Sequence, residues 1–175
     1  MSQPDLVPIS YEQFVADVQA IAAAVQASGW RPDHIVGIGR GGLVPGAYLS
    51  HRTGISLLSV DHSSGVPGFS DELLAKIAAQ TRGGTRILLI DDINDSGKTI
   101  ETLRGAILGA GGADRNLRVA VLIDNSRSPA KVEYRARTID RAIDKSWFVF
   151  PWEAMAPRET LIEEAEQVPE RLGLA

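Results

Sequence analysis

Three aspartates and a short hydroxyl-bearing turn follow one apolar run of the chain. Asp91 and Asp92 come directly after Ile87–Ile90, and Asp95 precedes the turn 96–99, where a new helical pattern begins. This order predicts a buried strand, a loop and a helix N-terminus. Unpaired N–H groups at a helix start attract phosphate, and aspartate oxygens bind sugar hydroxyls or a hard metal ion. The segment therefore has the chemistry to hold both ends of a phosphorylated sugar.

The same segment resembles a known family motif. Asp91-Asp92-Ile93-Asn94-Asp95-Ser96-Gly97-Lys98-Thr99 is similar to the phosphoribosyl pyrophosphate (PRPP) binding motif of type I phosphoribosyltransferases. A simpler alternative is a strand-to-helix loop whose acids only cap the helix. A nucleotide P-loop does not fit, because the Gly-x-x-x-x-Gly-Lys spacing is absent.

The resemblance implies a role for each residue of this motif. Asp91 and Asp92 hold the ribose hydroxyls, directly and through Mg²⁺. Asp95 faces N7 of a purine and takes or donates a proton there. The residues of the 5′-phosphate loop are Ser96, Gly97, Lys98 and Thr99. Lys98 stands at the variable position of that loop, where it either touches the phosphate or faces water.

A second glycine-rich segment, Gly39-Arg40-Gly41-Gly42, follows the apolar run His34–Ile38 and is expected to form a turn. It resembles the pyrophosphate loop of purine phosphoribosyltransferases. Glycines let backbone N–H groups approach an anion closely, and the arginine adds forked donors. The resemblance implies that Arg40 and Gly41 bind pyrophosphate and that the Gly39–Arg40 peptide is cis. The alternative is a connector with a solvated arginine.

The aromatic run Trp147-Phe148-Val149-Phe150-Pro151-Trp152-Glu153 carries the third resemblance, to the hood that covers the base in xanthine-guanine-type enzymes. It implies that Trp147 stacks on the purine and that Phe148 presents backbone groups to the purine edge. Glu153 either reaches the Mg²⁺-pyrophosphate or is a surface acid. The alternative for the whole run is a core strand, which aromatic clusters often form.

One departure from the family pattern concerns the base. Purine enzymes usually place a lysine, which reads the 6-oxo group, after the strand that here ends at Asp124. No lysine stands there, and Arg127, Lys131 or Lys145 are the candidate substitutes.

The elements that must position these residues alternate along the chain. Helices are predicted from a Ser10–Gln13 capping box to Gly29 and over 43–52, 70–81, 99–110 and 159–172, and strands over 34–38, 55–60, 87–90 and 118–124. A hairpin is predicted around 132–139. The expected fold class is α/β, a twisted parallel sheet flanked by helices with a small C-terminal hood. The expected single domain, 1–175, has its core over about 30–125 and a hood of about 126–156 plus part of the N-terminus.

Composition limits the classes of function. The 175 residues are 44% hydrophobic and 23% charged, which fits one globular domain. A net charge of −4 argues against a nucleic-acid-binding surface, and the absence of cysteine excludes disulfides and thiolate metal sites. We find neither a signal peptide nor an apolar stretch of membrane-spanning length, so we expect a cytoplasmic protein without membrane partners.

The expected function is that of a Mg²⁺-dependent purine phosphoribosyltransferase. It would transfer the phosphoribosyl group of PRPP to guanine, xanthine or hypoxanthine in purine salvage, releasing pyrophosphate. A homo-oligomer, dimer or tetramer, is expected. Two alternatives stay open: a PRPP-binding regulatory module without catalysis, and a phosphoribosyltransferase for adenine, a pyrimidine or a modified purine.

Overall fold

The computed structural model describes residues 5–61 and 71–166. In chain order its strands are β1 Leu6–Pro8, β2 His34–Ile38, β3 Ser56–Val60, β4 Ile87–Asn94, β5 Leu117–Asn125, β6 Tyr134–Ile139 and β7 Trp147–Val149. Its α-helices are α1 Tyr11–Ala27, α2 Gly39–Thr53, α3 Asp71–Arg82, α4 Lys98–Gly109 and α5 Arg158–Glu166. The main sheet has the order β3-β2-β4-β5-β6, and all of its neighbouring strands are parallel. The predicted α/β class with a helix-flanked parallel sheet is confirmed.

The apolar run of β4 is buried on both faces of the sheet. Leu88 and Ile90 pack in the cluster that contains α1, whereas Ile87 and Leu89 pack in the cluster that contains α3 and α4. Successive side chains of a strand point to opposite faces, so a strand covered on both sides must be apolar at every position. The uninterrupted run is therefore the sequence signature of a central parallel strand.

Strand β4 is longer than its apolar run. We predicted that the strand ends at Ile90, but it continues to Asn94, with Asp91 opposite Val121 and Asn94 opposite Asp124 of β5. On its other side the pairing with β2 stops at Ile90. The two aspartates thus lie on a strand extension whose β5 edge is paired and whose β2 edge is open toward the start of α2.

The segment 39–42 is not the turn that we predicted, because α2 begins at Gly39. Its glycines serve packing: a Cβ at Gly42 would overlap the carbonyl oxygen of Ile90, and one at Gly41 would overlap the carboxylate of Asp92. The peptide bond between Gly39 and Arg40 is trans, so the expected cis bond was also wrong. The glycines let the first turn of a helix lie directly on the end of β4.

Two further local predictions were wrong. The expected hairpin around 132–139 is the single strand β6, which adds to the sheet in parallel beside β5. At α1, Ser10 accepts a bond from the Gln13 backbone N–H at 3.1 Å, but the Gln13 side chain donates to Asp17 at 2.8 Å rather than back to Ser10. The aspartate is a stronger acceptor one helical turn away.

The aromatic run lies outside the main sheet. β7 pairs in parallel with β1, with Leu6 opposite Trp147, and the Trp147 N–H donates to the Asp5 carbonyl at 2.8 Å. Trp152 packs edge-on against Phe14 of α1 at 5.3 Å between ring centroids. The strands β1 and β7 therefore form a second, two-stranded sheet outside the main one, and the residues that follow β7 pack on α1.

Candidate active site

A cavity of about 960 Å³ lies at the carboxyl ends of β2 and β4, where ligands bind in open parallel sheets. It brings together the three segments that the sequence singled out. The residues that line it are Ile38, Gly39, Arg40, Gly41, Asp91–Ile100, Arg141, Trp147, Phe148, Phe150, Trp152, Glu153, Met155, Ala156, Thr160, Leu161 and Glu164. Of the residues that the three motifs singled out for PRPP, metal or base, this set contains Arg40, Gly41, Asp91, Asp92, Asp95, Ser96, Gly97, Lys98, Thr99, Trp147, Phe148 and Glu153.

Asp91 and Asp92 form the acidic floor of the cavity. The Asp92 N–H donates to Asp91 Oδ1 at 3.0 Å, and the Ile93 N–H donates to Asp92 Oδ1 at 2.6 Å. Burial is the main cause that raises the pKa of both carboxyls, to about 6 for Asp92. In the described part of the chain no arginine or lysine forms an ion pair with either of them. A bound cation would relieve the cost of their burial.

Glu153 faces this floor from the aromatic side. The Phe150 N–H donates to Glu153 Oε2 at 2.8 Å, which fixes the carboxylate toward the cavity. Burial, with smaller contributions from the negative charges of Asp92 and Glu164, raises the pKa of Glu153 to about 7, whereas the Phe150 N–H and Arg40 oppose the shift. Arg40, Asp92 and Glu153 therefore share one electrostatic environment, and Glu153 is not an isolated surface acid.

Two helices start at the cavity without a side-chain cap. The residue before α2 is Ile38, and the residue before α4 is Gly97, and neither makes a capping hydrogen bond from its side chain. Gly97 has φ +84°, and a Cβ there would lie 2.7 Å from Ser128 Oγ, so only glycine fits. Both helix starts keep N–H groups and a positive dipole end available to an anion.

A buried arginine that sequence reasoning missed holds Asp95. Arg141 Nε and Nη2 donate to the two Asp95 carboxylate oxygens at 2.7 and 3.0 Å, and Arg141 is only 2% exposed. Arg141 Nη1 donates to the Ser146 carbonyl at 2.6 Å, and the guanidinium lies 5.3 Å from the centre of the Phe148 ring. The polar segment around Arg141 carries no periodic pattern that would mark one of its arginines as buried.

The three candidates for the missing lysine lie elsewhere. Arg127 pairs with Asp140, and Lys131 pairs with Glu133 at 3.2 Å. The described residues that line the cavity do not include Arg127, Lys131 or Lys145. Arg141 is the cationic residue that the structure places next to Asp95.

By its position in the sequence, the segment 61–83 resembles the loop that closes over PRPP in this family, which makes Lys76 and Arg82 candidate contacts to pyrophosphate. Residues 62–70 lie outside the described part of the chain, and 71–82 form α3. Lys76 pairs with Glu72 of the same helix at 2.8 Å, and Arg82 donates to the carbonyl of Gly111 at 3.4 Å. Neither Lys76 nor Arg82 lines the cavity.

Sequence reasoning also missed the contribution of α5 to the cavity. Thr160, Leu161 and Glu164 of this helix line it.

Comparison with known protein families covers most of the chain with one match. The profile of the phosphoribosyl transferase domain matches residues 10–157, which is most of the chain. The chain belongs to the phosphoribosyltransferase family. It is therefore an enzyme of the pentosyl-transferring class, and the resemblance seen in the motifs is confirmed.

Solved structures with the same fold include purine enzymes. The chain is similar to a purine phosphoribosyltransferase from Pyrococcus horikoshii (24% identity, TM-score 0.63, covering 87% of this chain and 97% of that one). It is also similar to a xanthine-guanine-hypoxanthine phosphoribosyltransferase from Helicobacter pylori (20% identity, TM-score 0.64, covering 85% of this chain and 94% of that one). A further similar structure is a Neisseria gonorrhoeae protein solved with bound ppGpp (21% identity, TM-score 0.69, covering 97% of this chain and 98% of that one).

Two properties of this phosphoribosyltransferase bear on metals and membranes. Within residues 5–61 and 71–166, no three acidic or histidine side chains converge as a preformed metal site. Mg²⁺ characteristically uses one or two carboxylates and completes its shell with water and substrate phosphates, so the acidic floor still fits it. None of the helices described is long and apolar enough to cross a membrane.

Proposed function

We propose that this phosphoribosyltransferase joins PRPP to a 6-oxopurine, guanine, xanthine or hypoxanthine, in cytoplasmic purine salvage. The observation that carries the proposal is the composition of one cavity: two helix starts without side-chain caps, a floor of half-buried carboxylates that no described arginine or lysine pairs with, and a wall of aromatic rings. These are complementary to two phosphate ends, a metal-bound ribose and a flat base. The named purine enzymes that share the fold support the choice of base.

PRPP would span the cavity between the two helix starts. The 5′-phosphate binds at α4, where the turn of Ser96, Gly97, Lys98 and Thr99 supplies N–H groups and hydroxyls. The pyrophosphate binds at the start of α2, where Arg40 and the N–H group of Gly41 face it. Asp91 and Asp92 receive the ribose hydroxyls. Each group of PRPP thus meets a partner of complementary charge.

Mg²⁺ would be held by Asp92, with Asp91 and Glu153 beside it. The oxygen donors, their burial and their raised pKa values fit a hard cation. When bound there, Mg²⁺ would supply positive charge that offsets the charge of the pyrophosphate leaving group. The protein residues around it orient PRPP and keep the site closed to water, whose attack on PRPP is the competing reaction.

The base would lie against Trp147 and Phe148 with one edge toward Asp95. Its N9 lone pair attacks C1′ of the ribose, and the bond from C1′ to pyrophosphate breaks with its electron pair leaving on the pyrophosphate oxygen. The proton on N7 is then released toward Asp95. Stacking on an aromatic ring contributes about 1–3 kcal/mol per base and tolerates different purines.

Turnover with PRPP, Mg²⁺ and a panel of bases tests the proposal. We expect product with guanine, xanthine or hypoxanthine and much less with adenine, uracil or orotate. Turnover with adenine, uracil or orotate alone would establish a phosphoribosyltransferase of different specificity. If no base reacts while Mg²⁺-PRPP still binds, the chain is a PRPP-binding regulatory module.

We also propose that the protein is a dimer or tetramer. Large apolar side chains remain exposed on α1, α2 and the edge strand β3, among them Tyr11 (54%), Leu43 (43%) and Leu58 (38%). Covering such side chains is a common driving force for association. Light scattering coupled to size-exclusion chromatography measures the assembly directly.

A further inference from the structure

We propose that Arg141 is a positioning residue for the base, because one buried guanidinium fixes both the Asp95 carboxylate and the aromatic wall opposite it. This inference rests on the proposed function and adds to it a residue on which base recognition depends. It is carried by the contacts of Arg141, which connect the loop after β4 to the residues just before β7.

The first half of the argument concerns the carboxylate. Both residues line the cavity, but the Arg141 side chain is 2% exposed and that of Asp95 is 24% exposed, so the carboxylate is the more accessible of the two. The two parallel bonds from Nε and Nη2 prevent the carboxylate from rotating. An ionised carboxylate accepts about four hydrogen bonds, so Asp95 still has acceptor sites for the ligand. Asp95 is therefore a fixed acceptor whose free side faces the base.

The second half concerns the wall. Arg141 Nη1 donates to the carbonyls of Asp144 and Ser146, at 3.3 and 2.6 Å, and Ser146 directly precedes Trp147. The guanidinium also lies over the Phe148 ring. Loss of Arg141 would therefore release the start of β7 as well as Asp95. The distance between the Asp95 carboxylate and the aromatic wall of Trp147 and Phe148 therefore depends on Arg141.

A fixed acceptor at that spacing has a consequence for the ligand. A charged carboxylate pairs with an N–H on the base edge, so it favours the purine tautomer with a proton on N7, which leaves the N9 lone pair free for attack on C1′. The two bonds from Arg141 occupy only part of the acceptor capacity of Asp95, so the remaining lone pairs are available to that N–H.

Arg141 also has a matched control within the same fold. Arg137 of β6 donates from Nε to buried Asp17 of α1 at 3.0 Å, and Nη2 lies 2.9 Å from the same oxygen. That ion pair does not line the cavity. Arg137→Gln and Arg141→Gln each break an Arg–Asp ion pair that has one buried partner, but only the pair of Arg141 lies at the cavity.

The experiment compares two ligands that differ only in the base. Binding of the wild-type product, GMP, IMP or XMP, and of ribose 5-phosphate is measured by calorimetry for wild type, R141Q, R141K and R137Q. We expect R141Q to lower nucleotide affinity by about 10- to 100-fold, the scale of a misplaced binding group. Ribose 5-phosphate affinity should stay within about twofold. R141K keeps the charge but not the fork, so its loss should be smaller. R137Q should lower the melting temperature without changing the ratio of the two affinities.

The outcomes separate the two proposals. A wild type that turns over no base and binds neither ligand overturns the proposed function. A normal wild type with an unchanged affinity ratio in R141Q overturns the role of Arg141 alone, and so does an equal loss for both ligands. If R141Q does not fold, an unchanged ratio in R141K overturns it. In an Asp95→Asn background, R141Q should lower base affinity by a smaller factor than it does in the wild type, because the part of its effect that acts through Asp95 is already lost.

Discussion

Asp92 and Glu153 are half-buried acids whose protonation is coupled to folding. Burial raises the pKa of Asp92 to about 6 and that of Glu153 to about 7, and it raises that of Asp91 as well. Between their unfolded and folded pKa values, the folded protein binds more protons than the unfolded chain. We therefore predict that these groups lower the free energy of unfolding as pH rises from about 4 to about 7, by on the order of 3 kcal/mol for Asp92.

Urea unfolding at a series of pH values, without metal, measures this dependence. Asp92→Asn is the matched variant, because it keeps the shape and removes the titrating group. The difference in stability between variant and wild type should grow with pH and level off near pH 7. A difference that does not change with pH would contradict the prediction.

The same carboxylates must lose their protons to bind a cation, so stabilisation by Mg²⁺-PRPP should be larger at pH 8 than at pH 5.

Asp95 and Asp92 are expected to separate catalysis from binding. Asp95→Asn can still hydrogen-bond, but it cannot take up the N7 proton, so turnover should fall about 10²–10⁴-fold with nearly unchanged Mg²⁺-PRPP affinity. Asp92→Asn should instead lose PRPP affinity. Single-turnover rates and PRPP binding distinguish the two variants, and melting curves record any cost of leaving Arg141 partly unpaired. Wild-type turnover in Asp95→Asn would place the proton route elsewhere.

Arg40 belongs to the pyrophosphate end of the proposed site. It is exposed at the start of α2, whereas the 5′-phosphate would lie at α4. Arg40→Ala should therefore weaken binding of PRPP and pyrophosphate more than binding of the nucleoside monophosphate. Calorimetry with the three ligands tests this, and Arg52, at the far end of the same helix, is the control position. Equal losses for all three would show that Arg40 supports the fold instead.

At the scale of elements, the packing of α2 on β4 depends on glycine. A Cβ at Gly42 would overlap the Ile90 carbonyl, which is backbone and has little freedom to move. Gly42→Ala should cost about 1–3 kcal/mol, as overpacking usually does. A methyl group at Gly105, inside α4, would meet no atom of the described residues within 4 Å, so Gly105→Ala should stabilise by about 1 kcal/mol. Chemical unfolding of both variants checks the opposite signs.

The elements also show where sequence reasoning succeeds. Apolar runs that are buried on both faces, such as that of β4, give strong signals, and the phosphate motif marks the start of α4. The extension of β4 to Asn94 was missed because it depends on pairing with β5, a partner distant in sequence. The role of Arg141 was missed for a similar reason. Arg141 is buried because Trp147–Val149 pairs with Leu6–Pro8 near the start of the chain. No local sequence pattern predicts that long-range pairing.

At the scale of the whole molecule, one ligand should stabilise the entire domain. Mg²⁺-PRPP would contact the starts of α2 and α4 and the end of β4, which belong to the main sheet and its helices. A ligand that binds only the folded state stabilises it by about 2.7 kcal/mol at 100 times its Kd. We predict a rise in melting temperature with saturating Mg²⁺-PRPP. No rise in a well-folded sample would contradict the site, and Asp92→Asn should show a smaller rise.

The pairing of β1 with β7 has a consequence for the order in which the protein is made and folds. β1 leaves the ribosome early, but its partner is synthesised only after the whole main sheet. Contacts between such distant segments close late, because the loop entropy must first be offset by other structure. The main sheet and both helix starts can therefore form before the aromatic wall exists. A nascent chain should therefore be able to bind phosphate groups before it can bind a base selectively.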